Sequence, residues 1–341
     1  MQQFASDNQA GICPEALAAM AAANTGHEPS YGEDRWTAEL RHRMRALFET
    51  DACDTFLVFN GTSANALALT ALCRPFEATI CHALSHIETD EAAAPEFFTG
   101  GAKLLTADTS DAKLTPEAVS RLATRYEGFH HVKARVLSLT QSTELGTVYS
   151  VGEIRALTAT ARQFGLKVHM DGARFANAVA TLGCRPAELA WRAGIDVLSF
   201  GATKNGLANG EAIVFFDTAL ADAFAWRVKQ TGQLASKMRF VAAPWCALLE
   251  NDAWLRNAHH ANSMARRLAG RLKDIAGVRL LYPVDVNAVF ADIPVAVQAA
   301  VRAKGWRFYT FLGDTGCRLM CAWDTEADTI DRFADDLAVA V

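Results

Sequence analysis

The chain has 341 residues, of which 51% are hydrophobic and 21% charged, and a formal net charge of -5. That length corresponds to about two to three average domains and can bury a large core, and the mixture excludes disordered and fibrous classes. Its richest basic clusters, Arg41, Arg43 and Arg45, then Arg266, Arg267 and Arg271, have the spacing of solvated helix faces, so no nucleic-acid partner is predicted.

Residues 1–8 carry neither a positive region nor an apolar run, and no later stretch of about 18 apolar residues could span a bilayer, which predicts a cytoplasmic protein without membrane contact. Residues 55–59 (TFLVF) read as a strand running into Gly61-Thr62-Ser63, with a helix over residues 64–73. Strands are predicted at 78–81, 103–106 and 135–139, at 166–170 ending on Asp171, at 197–200 ending before Gly201-Ala202-Thr203-Lys204, and at 212–216. Such β-rich runs alternating with Ala- and Leu-rich segments of helical period predict an α/β architecture, a mostly parallel sheet covered by helices on both faces. A long helix over 254–272 then leads into short strands at 278–281, 288–291 and 318–322 and helices at 295–303 and 326–339, a smaller α+β unit. The domains expected are an N-terminal segment, 1–16, a large α/β domain, 17–250, and a small C-terminal one, 251–341, packed together because no Gly/Ser linker separates them. The eight cysteines, Cys13, Cys53, Cys73, Cys81, Cys184, Cys246, Cys317 and Cys321, contain no Cys-x-x-Cys pair, so they are expected to be buried free thiols of a reducing compartment with no metal site.

In α/β sheets, ligand-handling residues lie beyond the carboxyl ends of strands, where Asp171 and Lys204 fall. Lys204 follows a buried strand in a turn of small residues, which leaves room for a ring. Partial desolvation there would lower the ammonium pKa, so that the neutral amine can attack an aldehyde. Asp171, in His169-Met170-Asp171-Gly172-Ala173-Arg174, can pair with a protonated pyridine nitrogen and keep such a ring electron-withdrawing, while Arg174 offers a fork suited to a carboxylate. The turn Asn60-Gly61-Thr62-Ser63-Ala64-Asn65 offers backbone N–H groups and a helix dipole to a phosphate; its spacing matches neither a dinucleotide nor a nucleoside-triphosphate fingerprint.

These motifs, taken with Ser6-Asp7-Asn8, Tyr31-Gly32-Glu33-Asp34, His86 in Ala83-Leu84-Ser85-His86, and Arg318 in Cys317-Arg318-Leu319-Met320, resemble nearly end to end the fold-type I pyridoxal 5'-phosphate (PLP) enzymes. Within them the likeness is to the low-specificity threonine aldolases and their phenylserine aldolase relatives. The resemblance implies a PLP-dependent transferase-like α/β fold, a homo-oligomer (a dimer or a dimer of dimers, hence a tetramer) and an amino-acid substrate of L configuration. Residue by residue, it implies that Lys204 forms the covalent aldimine, Asp171 pairs with the pyridine nitrogen and His86 stacks on the ring. Gly61, Thr62 and Ser63 would hold the phosphate, Arg239 would reach a neighbouring subunit's phosphate, and Ser6, Arg174 and Arg318 would grip the substrate carboxylate.

The implied reaction is retro-aldol cleavage of L-threonine, L-allo-threonine or L-phenylserine to glycine and an aldehyde. β-Elimination, racemisation and transamination are the alternatives on the same scaffold. A non-catalytic relative would have lost the lysine or the aspartate, and neither is lost. One departure stands out: where many threonine aldolases carry Glu-Asn-Thr-His, this chain has Gln141-Ser142-Thr143-Glu144. Glu144, His86 acting through water, and the cofactor's phosphate therefore remain as candidate bases. The aromatic residues of 226–245 and of Trp306-Arg307-Phe308-Tyr309 are compatible either with a pocket for an aromatic substituent or with core and interface packing.

Overall fold

The computed structural model describes residues 3–341. Seven strands form one sheet: β1 (Asp54–Val58), β2 (Glu77–His82), β3 (Lys103–Ala107), β4 (Lys133–Thr140), β5 (Lys167–Gly172), β6 (Val197–Phe200) and β7 (Glu211–Phe215). Their order is β1-β7-β6-β5-β4-β2-β3. The pairs from β3 through β6 are parallel, and β7 runs antiparallel to both β6 and β1, so the sheet is mostly parallel, as expected. Strands β2, β6 and β7 are buried at every position, the pattern of a sheet covered on both faces.

The period of two along these strands sorts their side chains. Leu137, Leu139, Val168, Met170, Leu198, Phe200 and Val214 enter the larger core on one face. Val136, Val197, Ile213 and Phe215 enter a second core on the other, together with Ala64, Leu67, Ala68 and Leu72 of the helix Gly61–Leu72. Under that helix the sheet carries a polar row: His169 lies between Ser138 Oγ (2.9 Å) and Ser199 Oγ (3.0 Å) on the two flanking strands. Burial pushes the His169 pKa down to about 4, so the ring is neutral and its two nitrogens are satisfied within the sheet. Asp171, two residues on, shares the face.

A second sheet, antiparallel throughout, has the order β10-β11-β9-β8 from β8 (Arg279–Leu280), β9 (Ala288–Asp292), β10 (Tyr309–Leu312) and β11 (Gly316–Met320). Strand β10 was not anticipated because it is an exposed edge with no apolar alternation. The helices Ala253–Lys273, Val295–Ala303 and Ala327–Ala340 accompany this sheet, close to their predicted spans. The N-terminal segment is threaded into the same region: the Phe4 N–H donates to the Arg307 carbonyl and its carbonyl accepts from Met320 N–H, both at 2.7 Å, and its ring packs on Trp306 and Phe333. Asp7 is thereby carried to the carboxyl end of β5, where it meets Arg174, with Ser6 beside it. Trp245 and Trp306 are fully buried core residues, whereas Trp226 is 75% exposed, so these aromatics pack the cores or face solvent. All eight cysteines are free; seven are buried and Cys184 is half-buried. No helix among the described residues is long and apolar enough to cross a membrane.

Candidate active site

Three polypeptide turns meet at the carboxyl ends of β5 and β6. Asp171 is the penultimate residue of β5. Lys204 sits in the 3-10 turn Thr203–Asn205, just past β6. Gly61 and Thr62 open the helix Gly61–Leu72, whose cap is Asn60, its Oδ1 accepting from Ser63 N–H at 2.9 Å. All of these except Ser63 line one cavity of about 280 Å³, with His86, Asn65, Ser199 and Thr203. The Ser63 N–H is consumed by the cap, so the first-turn N–H groups of Gly61 and Thr62 are the ones left to point at an anion. A Cβ at Gly61 would meet nothing within 4 Å: the space beside the cradle is open.

Two glycines let the strand ends approach. A Cβ on Gly172 would lie 2.6 Å from Leu198 Cδ1 and 2.8 Å from the Ser199 carbonyl oxygen, and one on Gly201 would lie 2.6 Å from Ala173 Cα and 2.7 Å from its oxygen. The second clash is with backbone, which cannot rotate away. Gly201→Ala is therefore expected to cost about 1–3 kcal/mol and to pry the Lys204 turn from the Asp171 strand. A lower thermal midpoint and a lower PLP content after gel filtration would report it.

Asp171 is held at both oxygens: Oδ1 accepts from Ala173 N–H at 2.9 Å and Oδ2 from Asn65 Nδ2 at 2.8 Å. The Lys204 amine has no hydrogen-bond or ion-pair partner among the described residues, and burial, reinforced by the charge of Arg174, pulls its pKa below the usual lysine range. That is the state a nucleophilic amine needs. Beneath the turn, the Glu211 carboxylate accepts from Ala202 N–H, and burial pushes its pKa up.

A contiguous cavity of about 140 Å³ opens from Lys204 toward the second sheet, lined by Ser6, His86, Glu144, Arg174 and Arg318, with an apolar wall of Leu84, Ala288, Phe311 and Met320. Here the two arginines differ. Arg174 gives Nε and Nη2 to the two oxygens of Asp7 at 2.8 and 2.9 Å, and Asn287 Nδ2 donates to the same carboxylate at 3.0 Å. Burial works to raise the Asp7 pKa, but the charge and hydrogen bonds of Arg174 outweigh it and hold it below the carboxylate range. Most of the Arg174 fork is thus already engaged. Among the described residues Arg318 has no carboxylate partner, its Nε is buried and unbonded, and it lies over Phe311 at 4.9 Å and Tyr309 at 5.6 Å. Burial, with Arg174 nearby, lowers its pKa. A guanidinium so desolvated is stabilised by any carboxylate that enters.

Glu144 faces both cavities' junction beside Asp171 and Lys204. Its Oε1 accepts from the His86 backbone N–H at 2.9 Å, while Oε2 is buried without a partner. Burial, and then the neighbouring Asp171, push its pKa up to about 7. Ser6 uses its Oγ to accept from Asn8 N–H at 3.2 Å and lies at the cavity edge. Arg239 is not brought to either cavity: it starts the helix Arg239–Leu249, stacked over Phe240 at 5.1 Å, with Nε buried and unbonded.

Sequence reasoning missed Asp7, Asn65, Glu91 and Glu211 as parts of this site. Asn65 had a signal, since it lies one helical turn past Gly61 and so on the same face. Asp7 stood between two quoted residues. Glu91 and Glu211 had none. The arrangement fits PLP: an anion cradle at Gly61 and Thr62, an unpaired amine, a carboxylate fixed at both oxygens, and an unpaired guanidinium follow one another around the connected space.

Comparison with known proteins agrees. Residues 3–296 match the family model of the beta-eliminating lyases. The chain is 55% identical over 340 residues to the low specificity L-threonine aldolase of Pseudomonas aeruginosa, covering 100% of this chain and 98% of that protein. Its structure superposes on that of Leishmania major threonine aldolase with a TM-score of 0.93 at 30% identity, over 98% of both chains. The fold also matches a PLP-bound serine palmitoyltransferase from S. paucimobilis (TM-score 0.75, 18% identity, 99% of this chain and 86% of that one), a likeness of architecture alone. By sequence, fold and full-length coverage, the chain belongs to the beta-eliminating lyase family of fold-type I PLP enzymes and, within it, to the low-specificity L-threonine aldolases.

Proposed function

We propose that this chain is a PLP-dependent carbon–carbon lyase that splits L-β-hydroxy-α-amino acids, L-threonine among them, into glycine and an aldehyde, with Lys204 as the covalent attachment point of the cofactor. The observation that carries this reading is the unpaired Lys204 amine and the unpaired Arg318 guanidinium in one connected space beside Asp171. When bound, PLP supplies an electron-withdrawing ring that takes up the electron pair released as the Cα–Cβ bond breaks.

The residues divide the remaining work. Gly61 and Thr62 would hold the phosphate through backbone N–H groups, Asp171 would keep the ring nitrogen protonated, and His86 would lie against the ring. Arg318, with Ser6 and the remaining nitrogen of Arg174, would grip the substrate carboxylate and so fix the orientation of the substrate about Cα, which selects the bond that is cleaved. Glu144 takes the β-hydroxyl proton as the aldehyde carbonyl forms, its Oε2 being free and its pKa near the working pH. Arg239, whose Nε is buried and unbonded away from this chain's own cavities, is assigned to the phosphate of a neighbouring subunit, which makes the working form an oligomer.

The test is product analysis with the PLP-saturated protein on L-threonine and L-threo-phenylserine. Equimolar glycine and aldehyde support the proposal; ammonia with a keto acid replaces it by an elimination or transamination. Arg318→Ala is expected to raise KM, and the Kd of the product glycine, by roughly 10- to 100-fold, the loss of one or two charge-assisted hydrogen bonds. Arg318→Lys should recover only part of it, because an ammonium lacks the planar fork.

A further inference from the structure

Between His86 and Asp171 lies a carboxylate that the mechanism above does not use. Glu91 follows the short helix His86–Thr89, and its side chain is completely buried. Its Oε1 accepts from two directions: from His86 Nδ1 at 2.8 Å and from Asn65 Nδ2 at 2.8 Å. The same Asn65 Nδ2 donates to Asp171 Oδ2 at 2.8 Å. Only an NH₂ group can face two carboxylate oxygens at that range, so the orientation of the Asn65 amide is determined. The His86 proton follows by the same reasoning. Burial raises the Glu91 pKa and the hydrogen bonds from His86 and Asn65 oppose it; with Glu91 ionised, Oε1 can only accept, so the neutral imidazole is the donor, which puts its ring proton on Nδ1 and leaves Nε2, without a partner among the described residues, bare.

We propose that Glu91 is a positioning residue of the aldolase site: through Oε1 it fixes the plane and the Nδ1–H tautomer of His86, and through Asn65 it braces Asp171. One buried carboxylate then aligns both protein groups assigned to the cofactor ring, the one on its face and the one at its nitrogen. This rests on the roles given above to His86 and Asp171. The bare Nε2 presents an acceptor to the cavity that His86 shares with Lys204, where the opposite tautomer would present a donor. The charged groups facing His86 are Glu91 on its own segment, Asp171 from β5, Lys204 from the turn after β6, and Glu144, which accepts the His86 backbone N–H. Glu88 and Asp90 also lie on its segment, exposed. Among them the Glu91 hydrogen bond acts most strongly to raise the His86 pKa, against burial.

Neutron diffraction from deuterated holoenzyme crystals at alkaline pD tests the tautomer without any variant and without reference to the product formed, so it stands or falls apart from the aldolase assignment. Deuterium on Nδ1 alone is expected; any deuterium on Nε2 overturns the proposal. In solution, Glu91→Gln should retain PLP, lower kcat on L-threonine about tenfold, the typical loss when the partner orienting a functional histidine is removed, and leave KM within about twofold. Wild-type kcat in that variant would also overturn it, and if the variant does not fold, the neutron map of the wild type decides.

Discussion

Lys204→Ala is expected to abolish cleavage, by about four orders of magnitude or more, and to leave a protein that binds PLP only reversibly. The amine has no partner among the described residues, it lines both cavities of the site, and its pKa is lowered by burial and by Arg174. No hydrogen bond among the described residues depends on it, so the variant should reach the same architecture. A lysine whose folded pKa lies below its unfolded value destabilises the fold in the charged form, which prevails below that folded pKa, and the penalty fades as pH rises through it. The cofactor-free variant should therefore be at least as stable as cofactor-free wild type at pH 7. Borohydride treatment followed by mass spectrometry separates the cases: wild type gains a reduced pyridoxyl adduct on the peptide containing Lys204, and the variant gains none. An adduct on another lysine would move the attachment point and overturn the assignment.

What the sequence could reveal was set by range. Strand and helix periodicity is local, so all seven strands of the large sheet and the ends that carry Asp171 and Lys204 were legible from runs of a few residues. The Gly61 turn was legible for the same reason, although its cap consumes the Ser63 N–H and narrows the anion cradle to Gly61 and Thr62. Pairings across the chain were not legible. The Asp7–Arg174 ion pair joins residues 167 positions apart, and it changes the reading of Arg174 from a free carboxylate fork to one largely engaged, so the proposed grip rests mainly on Arg318. Glu91 reads locally as one acid in an acidic stretch, Glu88 to Glu91. Only the fold, by bringing the helix Gly61–Leu72 over β5, joins it through Asn65 to Asp171. Arg318 was visible as a motif residue, but its lack of a partner, the property that suits it to a substrate, is a fact of three dimensions.

Glu144→Gln carries the second largest expected effect, a fall in kcat of about 10² to 10⁴, the range for removal of a general base. The wild-type carboxyl has its pKa pushed up to about 7 by burial and Asp171, and it accepts a β-hydroxyl proton only when ionised. Activity should therefore fall as pH drops through about 7 and level off above it. In the glutamine variant that limb should vanish, leaving a low rate with little dependence on pH in this range. Stability should move the other way. A carboxylate whose folded pKa exceeds its unfolded value destabilises the fold once ionised, so wild type loses stability as pH rises from about 4.5 to about 7, and the uncharged amide escapes this loss. The glutamine keeps an oxygen for the His86 N–H, and its thermal midpoint at pH 8 should match or exceed wild type. Reduced turnover in a protein of undiminished stability, with PLP bound and the acid limb gone, is the signature of a base; an unchanged limb with full activity would hand the proton to His86 or to the cofactor's phosphate. A histidine at this position, which the family resemblance implies for many threonine aldolases, would present a ring of ordinary pKa near 6.5, whereas here a carboxylate reaches a similar value by burial, so two different side chains can meet one requirement.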